Sequence, residues 1–147
     1  MRILPRHPAD VSSVAWSPDG ELLATGDGSS SDPRDDSLGG TIRIWNRQGQ
    51  GDQIRLIDSR ERVVYSINWS PDGEKLLNAS FWPTVAQIWN VDGTGPVVLK
   101  GHTNAVVLAD WSPDGHQVAT ASWDGTIRLW GLTELLVPSL MGMTALC

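Results

Sequence analysis

Cysteine occurs once, at Cys147, so no disulfide can form within the chain, which fits a reducing compartment. Basic residues are few. Eleven Lys and Arg stand against 17 Asp and Glu, a formal net charge of −6. A binder of phosphate backbones needs a basic face, so no nucleic-acid partner is expected. Long apolar runs are missing too. No stretch approaches the roughly 20 apolar residues of a membrane-spanning helix, and the opening "MRILPRHPADVSS" lacks an apolar core of signal-peptide length. A cytoplasmic protein without a membrane partner is expected. Tyrosine and phenylalanine occur once each against eight tryptophans. So skewed an aromatic usage asks for a reason, and internal repetition supplies it.

The word WSPDG stands at 16–20, 69–73 and 111–115. Aligned on Trp16, Trp69 and Trp111, the three blocks have His7, Arg60 and His102 nine residues upstream and Thr25, Asn78 and Thr120 nine downstream. Each then runs to a second tryptophan, in "TIRIW" at Trp45, "VAQIW" at Trp89 and "TIRLW" at Trp130. The spacing is 42 residues from Trp69 to Trp111 and 53 from Trp16 to Trp69. Most of the excess lies between Gly26 and Thr41. Self-similarity at such a period signals a repeat architecture. The segments inside each unit are short and rich in β-branched residues, and turn residues bound them. SPDG suits a tight hairpin loop: Pro presets φ and Gly takes the left-handed conformation. Asp-Gly in "WDGT" is a strong hairpin signal. Each unit therefore reads as four antiparallel strands, a to d, and no useful amphipathic helix is present.

The set GH, WSPDG, ATAS and DGTIRLW, complete only in the third copy, resembles the WD40-repeat family. The resemblance spans about residues 2–142. It implies an all-β fold of β-propeller blades, three per chain: blade 1 at about 8–57, blade 2 at about 60–100 and blade 3 at about 102–142, within a single domain over 1–147. It also implies a buried hydrogen-bonded network in each well-formed blade, here His102, Thr120, Asp124 and Trp130. The first copy keeps His7, Thr25 and Trp45 but has no Asp at the matching turn, and Asp35 or Asp36 is the expected stand-in. In the second, Arg60 and Asn78 replace His and Thr, and "FWPTV" replaces the Asp-Gly turn. The second blade should be the least conventional and the third the most rigid.

Propellers close with four to eight blades, so three make no ring. "RILPRH" at 2–7 aligns with "VVLKGH" at 97–102 and reads as an extra N-terminal strand d. A tail over 136–143 aligns with the same segment. Two readings stay open: a fragment of a larger propeller, or a homodimer closing a six-bladed ring.

The triad-like set His102, Asp124 and Thr120 reads as scaffold, since a nucleophile needs exposure and an oxyanion site, and no enzyme is expected. No metal or other cofactor is expected either: His7, His102 and His116 lie in different copies or on different edges, and the acidic insert lacks calcium-loop spacing. The binding candidates lie where the b–c turns meet one rim. They are Trp123, Phe81 and Trp82, with the acidic insert carrying Asp27, Asp32, Asp35 and Asp36 beside them. Trp is enriched at interaction hot spots, and the family resemblance implies a rim that binds proteins or peptides. A packing role for Trp123 over its own hairpin is the bland alternative. The remaining six tryptophans read as packing between blades. The leading expectation is a non-enzymatic interaction scaffold. Small-ligand binding or catalysis at a central channel lined by strands a (Tyr65, Asn68, Asp110) is one alternative, and a purely structural piece is another.

Overall fold

The computed structural model describes residues 1, 3–28, 40–48 and 63–133. Ten strands fall in them: β1 (Val11–Trp16), β2 (Leu22–Asp27), β3 (Ile42–Asn46), β4 (Val64–Trp69), β5 (Lys75–Ser80), β6 (Ala86–Asn90), β7 (Val97–Leu99), β8 (Val106–Trp111), β9 (Gln117–Ser122) and β10 (Ile127–Gly131). They form three antiparallel sheets, β1-β2-β3, β4-β5-β6-β7 and β8-β9-β10. The middle sheet is the complete four-stranded blade. The segments expected to supply strand d of the first and third blades lie outside the described residues.

The WSPDG word earns its three copies through side-chain stitching at the a–b turn. Ser17 donates its hydroxyl to Asp19 Oδ1 at 2.6 Å, and Ser112 does the same to Asp114. Ser70 pairs with Asp72 in the same way. The same carboxylates accept the main-chain N–H of Glu21, Glu74 and His116, while the serine oxygens accept those of Leu22, Lys75 and Gln117. Gly20, Gly73 and Gly115 end these turns at φ of 73°, 75° and 73°, conformations that cost a residue with a Cβ.

A β-bulge recurs at one place in every first strand, between Val11 and Ser13, Val64 and Ser66, and Val106 and Leu108. An extra residue there shifts the alternation. Val64 and Ile67, three apart, consequently share a face, as do Val106 and Ala109.

The core lies between blades. One layer joins Ala24, Ile42 and Ile44 of the first sheet to Val64, Ile67, Trp69, Leu76 and Trp89 of the second. The other joins Leu77, Ala79, Ala86, Ile88 and Leu99 to Val106, Ala109, Val118 and Leu132. Leu76 and Leu77 are adjacent and both fully buried. Successive side chains of a strand point to opposite faces, so they serve opposite layers. Burial of each contributes about 2 kcal/mol. The expected between-blade role holds for Trp69, Trp89 and Trp111. Trp16 is instead exposed, for no described sheet lies beyond β1. Trp130 also packs against the second layer, and both Trp45 and Trp130 bond within their own blades, as described below.

The expected N-terminal strand d is not formed over 3–7. Its counterpart β7 pairs with β6, and no described strand stands in that place beside Ile3 and Leu4. The arm is held by Arg43 donating to the Arg6 carbonyl at 3.3 Å and by the two ring bonds of His7. Among the described residues, no helix is long and apolar enough to cross a membrane.

Candidate functional site

Each blade carries a polar spine, built on strand b. In the third, His102 Nδ1 lies 2.8 Å from Asp124 Oδ2, His102 Nε2 lies 2.7 Å from Thr120 Oγ1, and Trp130 Nε1 donates to the same hydroxyl oxygen at 2.9 Å. A carboxylate only accepts, so in the neutral ring Nδ1 carries the proton, Nε2 accepts from the threonine O–H, and that oxygen keeps a lone pair for the indole. Every group is satisfied. Asp124 also takes the main-chain N–H of Thr103 and the hydroxyl of Thr126. The Thr126 hydroxyl first, then His102 and the backbone donors, hold its carboxyl well below the usual range, although burial works against them.

The first blade repeats this spine with a different acid. His7 Nδ1 lies 2.7 Å from Asp27 Oδ2, its Nε2 lies 2.8 Å from Thr25 Oγ1, and Trp45 Nε1 donates to Thr25 at 2.9 Å. The acid is neither Asp35 nor Asp36, which fall outside the described residues along with Asp32. Residues two apart on a strand share a face, and that places Asp27 beside Thr25 on β2. The spacing T-x-D was the signal in the sequence that would have found it. Asp27 is completely buried. It is also bonded to Thr41 three ways: its N–H donates to the Thr41 carbonyl at 3.0 Å, and its carboxylate accepts the Thr41 N–H at 2.5 Å and hydroxyl at 2.8 Å.

The second blade keeps one rung. Trp89 Nε1 donates to Asn78 Oδ1 at 3.0 Å, so Asn78 replaces threonine as acceptor. More survives there than Trp89 alone. Arg60 lies outside the described residues. In all three spines the acceptor on strand b is buried. Each threonine hydroxyl donates to a histidine and accepts from an indole, and both threonines are buried.

Of the rim candidates, Trp82 and Trp123 are exposed and Phe81 is half-buried. Gly28, Phe81 and Trp123 occupy one position in the three blades, each donating its main-chain N–H across to the residue before strand a: Asp10, Val63 and Ala105, at 3.1, 3.2 and 3.0 Å. The Trp123 ring reaches the second blade, where its centroid lies 5.9 Å from Tyr65 and 6.1 Å from Phe81, while Tyr65 and Phe81 are 6.2 Å apart. These are tilted and edge-on contacts of the kind aromatic pairs favour. Trp123 nevertheless remains 58% exposed. Trp82, at 57%, follows Phe81 and precedes a cis proline, but it has no ring contact with the trio. Tyr65 thus stands in one aromatic cluster with Phe81 and Trp123. Of the other strand-a groups, Asn68 is bonded to the Ala109 carbonyl at 2.6 Å, and Ser12, Ser13 and Ser66 stitch one blade's backbone to the next.

Comparison with known proteins agrees with this geometry. The family model "WD domain, G-beta repeat" matches residues 1–46 and 93–131, more than half of the chain. The interval it passes over holds the second blade's unconventional turn. The chain is 31% identical over 131 residues to the WD repeat-containing protein srw1 of Schizosaccharomyces pombe, covering 87% of this chain and 22% of that protein. It is 30% identical over 98 residues to the probable cytosolic iron-sulfur protein assembly protein 1 of Kluyveromyces lactis, covering 60% and 26%. To the mouse F-box-like/WD repeat-containing protein TBL1X it is 31% identical over 117 residues, covering 71% and 20%. The chain thus spans about a quarter or less of the length of these relatives. With its blade sheets, bonded spines and matched residues, the chain belongs to the WD40-repeat family.

Proposed function

We propose that the chain is a non-enzymatic protein-interaction module that presents the Tyr65–Phe81–Trp123 rim to a protein or peptide. WD40-repeat proteins generally serve as interaction scaffolds. The observation that carries the reading is the state of Trp123: braced by two rings and a main-chain bond, yet more than half exposed. An aromatic already held in place loses little freedom on binding, and such anchors dominate interface energetics. Trp82 extends the same rim. The acidic residues Asp32, Asp35 and Asp36 belong to the insert that leaves the first blade at the matching point, and they favour a partner with basic side chains. A cytoplasmic setting accords with relatives named as cytosolic assembly proteins. Channel chemistry is the weaker reading, because the strand-a hydroxyls and Asn68 are already occupied by main-chain bonds.

The test is quantitative capture of binding proteins by wild type and by Trp123→Ala, both checked for equal stability. The variant is expected to lose at least tenfold in recovery of rim-dependent partners. Equal recovery of every partner by both proteins would remove Trp123 from the interface.

A further inference from the structure

The two outer faces of this three-blade unit are matching halves of one junction. At the internal junctions, the leaving face presents Ile42 and Ile44 of β3, and Ala86 and Ile88 of β6. The corresponding residues of β10 are Ile127 and Leu129, which are 76% and 71% exposed. The receiving face presents Val64, Ile67 and Trp69 of β4, and Val106, Ala109 and Trp111 of β8. The corresponding residues of β1 are Val11, Val14 and Trp16, which are 54%, 62% and 55% exposed. Leu108, also exposed, adds to the leaving face where the inner blades place Ser13 and Ser66. The same positions that are buried between blades are therefore apolar and bare at both ends. An open groove of about 590 Å³ adjoins the receiving face, reaching Val11, Val14 and Leu23 beside the N-terminal arm.

We infer that a second copy of the chain covers both faces, with β10 of each copy packing on β1 of the other. The interface continues a junction the chain already builds twice. At the first of these, Trp69 donates its indole N–H to the Ala15 carbonyl at 3.0 Å, and Ser13 Oγ accepts the Ile67 N–H at 3.0 Å. In the new junction Trp16 takes the place of Trp69, and the carbonyl of Asp110 in the other copy takes the place of Ala15. A two-fold axis makes the two new junctions identical, which closes the assembly at six blades; three copies would make nine, beyond the four to eight that propellers use. Exposed apolar faces of this extent otherwise invite unspecific association.

Sedimentation of the full chain at micromolar concentration tests this. The expected mass is twice the 16.0 kDa of one chain. Leu129→Glu alone and Val14→Lys alone should each shift it to the monomer, with the circular dichroism of the folded wild type, since both positions are exposed. A folded wild-type monomer would assign the faces to something other than this chain and overturn the inference. So would an open series of larger oligomers, or folded single variants that both stay dimeric. Trp123→Ala should leave the mass unchanged, which separates this result from the rim reading.

Discussion

His7 and Asp27, 20 residues apart, meet with Nδ1 2.7 Å from Oδ2 and complete a spine whose acid comes from the end of a strand and not from a turn. Removing Asp27 would leave the His7 ring and the Thr41 N–H and hydroxyl without their shared acceptor in a fully buried place. Asp27→Ala should cost about 3 kcal/mol of stability in urea unfolding. A loss under about 0.5 kcal/mol, the range of ordinary surface changes, would show that the first blade does not depend on this acid.

Thr120 accepts from Trp130 and donates to His102. Thr120→Val keeps the shape and deletes the oxygen, stranding both partners. A cost of about 2 kcal/mol is expected, accompanied by faster amide exchange in β9 and β10. The matching change in the first blade, Thr25→Val, should cost a similar amount, because it sits in the same arrangement.

Acid should unfold the protein through depressed carboxylates. Asp124 is held low chiefly by the Thr126 hydroxyl, and Asp19, Asp72 and Asp114 chiefly by Ser17, Ser70 and Ser112. Groups whose folded pKa lies below the unfolded value of about 4 contribute fully above that pH and lose their contribution as pH falls through the folded value. Stability measured in urea should therefore drop below about pH 4, with the unfolded chain taking up more protons. Asp124→Asn should flatten that drop. An unchanged acid slope in the variant would contradict the assignment.

Two glycines make opposite predictions. A Cβ on Gly40 would lie 2.9 Å from the Asp27 carbonyl oxygen and 3.1 Å from Val64 Cγ2, whereas one on Gly131 would meet nothing within 4 Å. Gly40→Ala should destabilise by about 1–3 kcal/mol through overpacking. Gly131→Ala should be neutral, or stabilise by a few tenths of a kcal/mol by restricting the unfolded chain. Thermal melts of the two variants, run side by side, decide this.

Much of the fold could be read from the repeats, because turn chemistry and strand alternation are local. SPDG marked all three a–b turns, and the third copy's spine followed residue by residue from the family resemblance. What escaped was set by contacts between units. Trp16 occupies the same repeat position as Trp69, but among the described residues no sheet packs on it, and it is bare. Tyr65 lies on a first strand, and its contact with Trp123 comes from the next blade. Asp27 was counted with the acidic insert, although its two-residue spacing from Thr25 already tied it to the strand.

The three hydrogen bonds between Asp27 and Thr41 close β2 and β3 just beyond their last paired residues, Gly26 and Ile42. They act as a clasp at the mouth of the hairpin, so sequence grafted between the two clasp residues should leave the β2–β3 register intact.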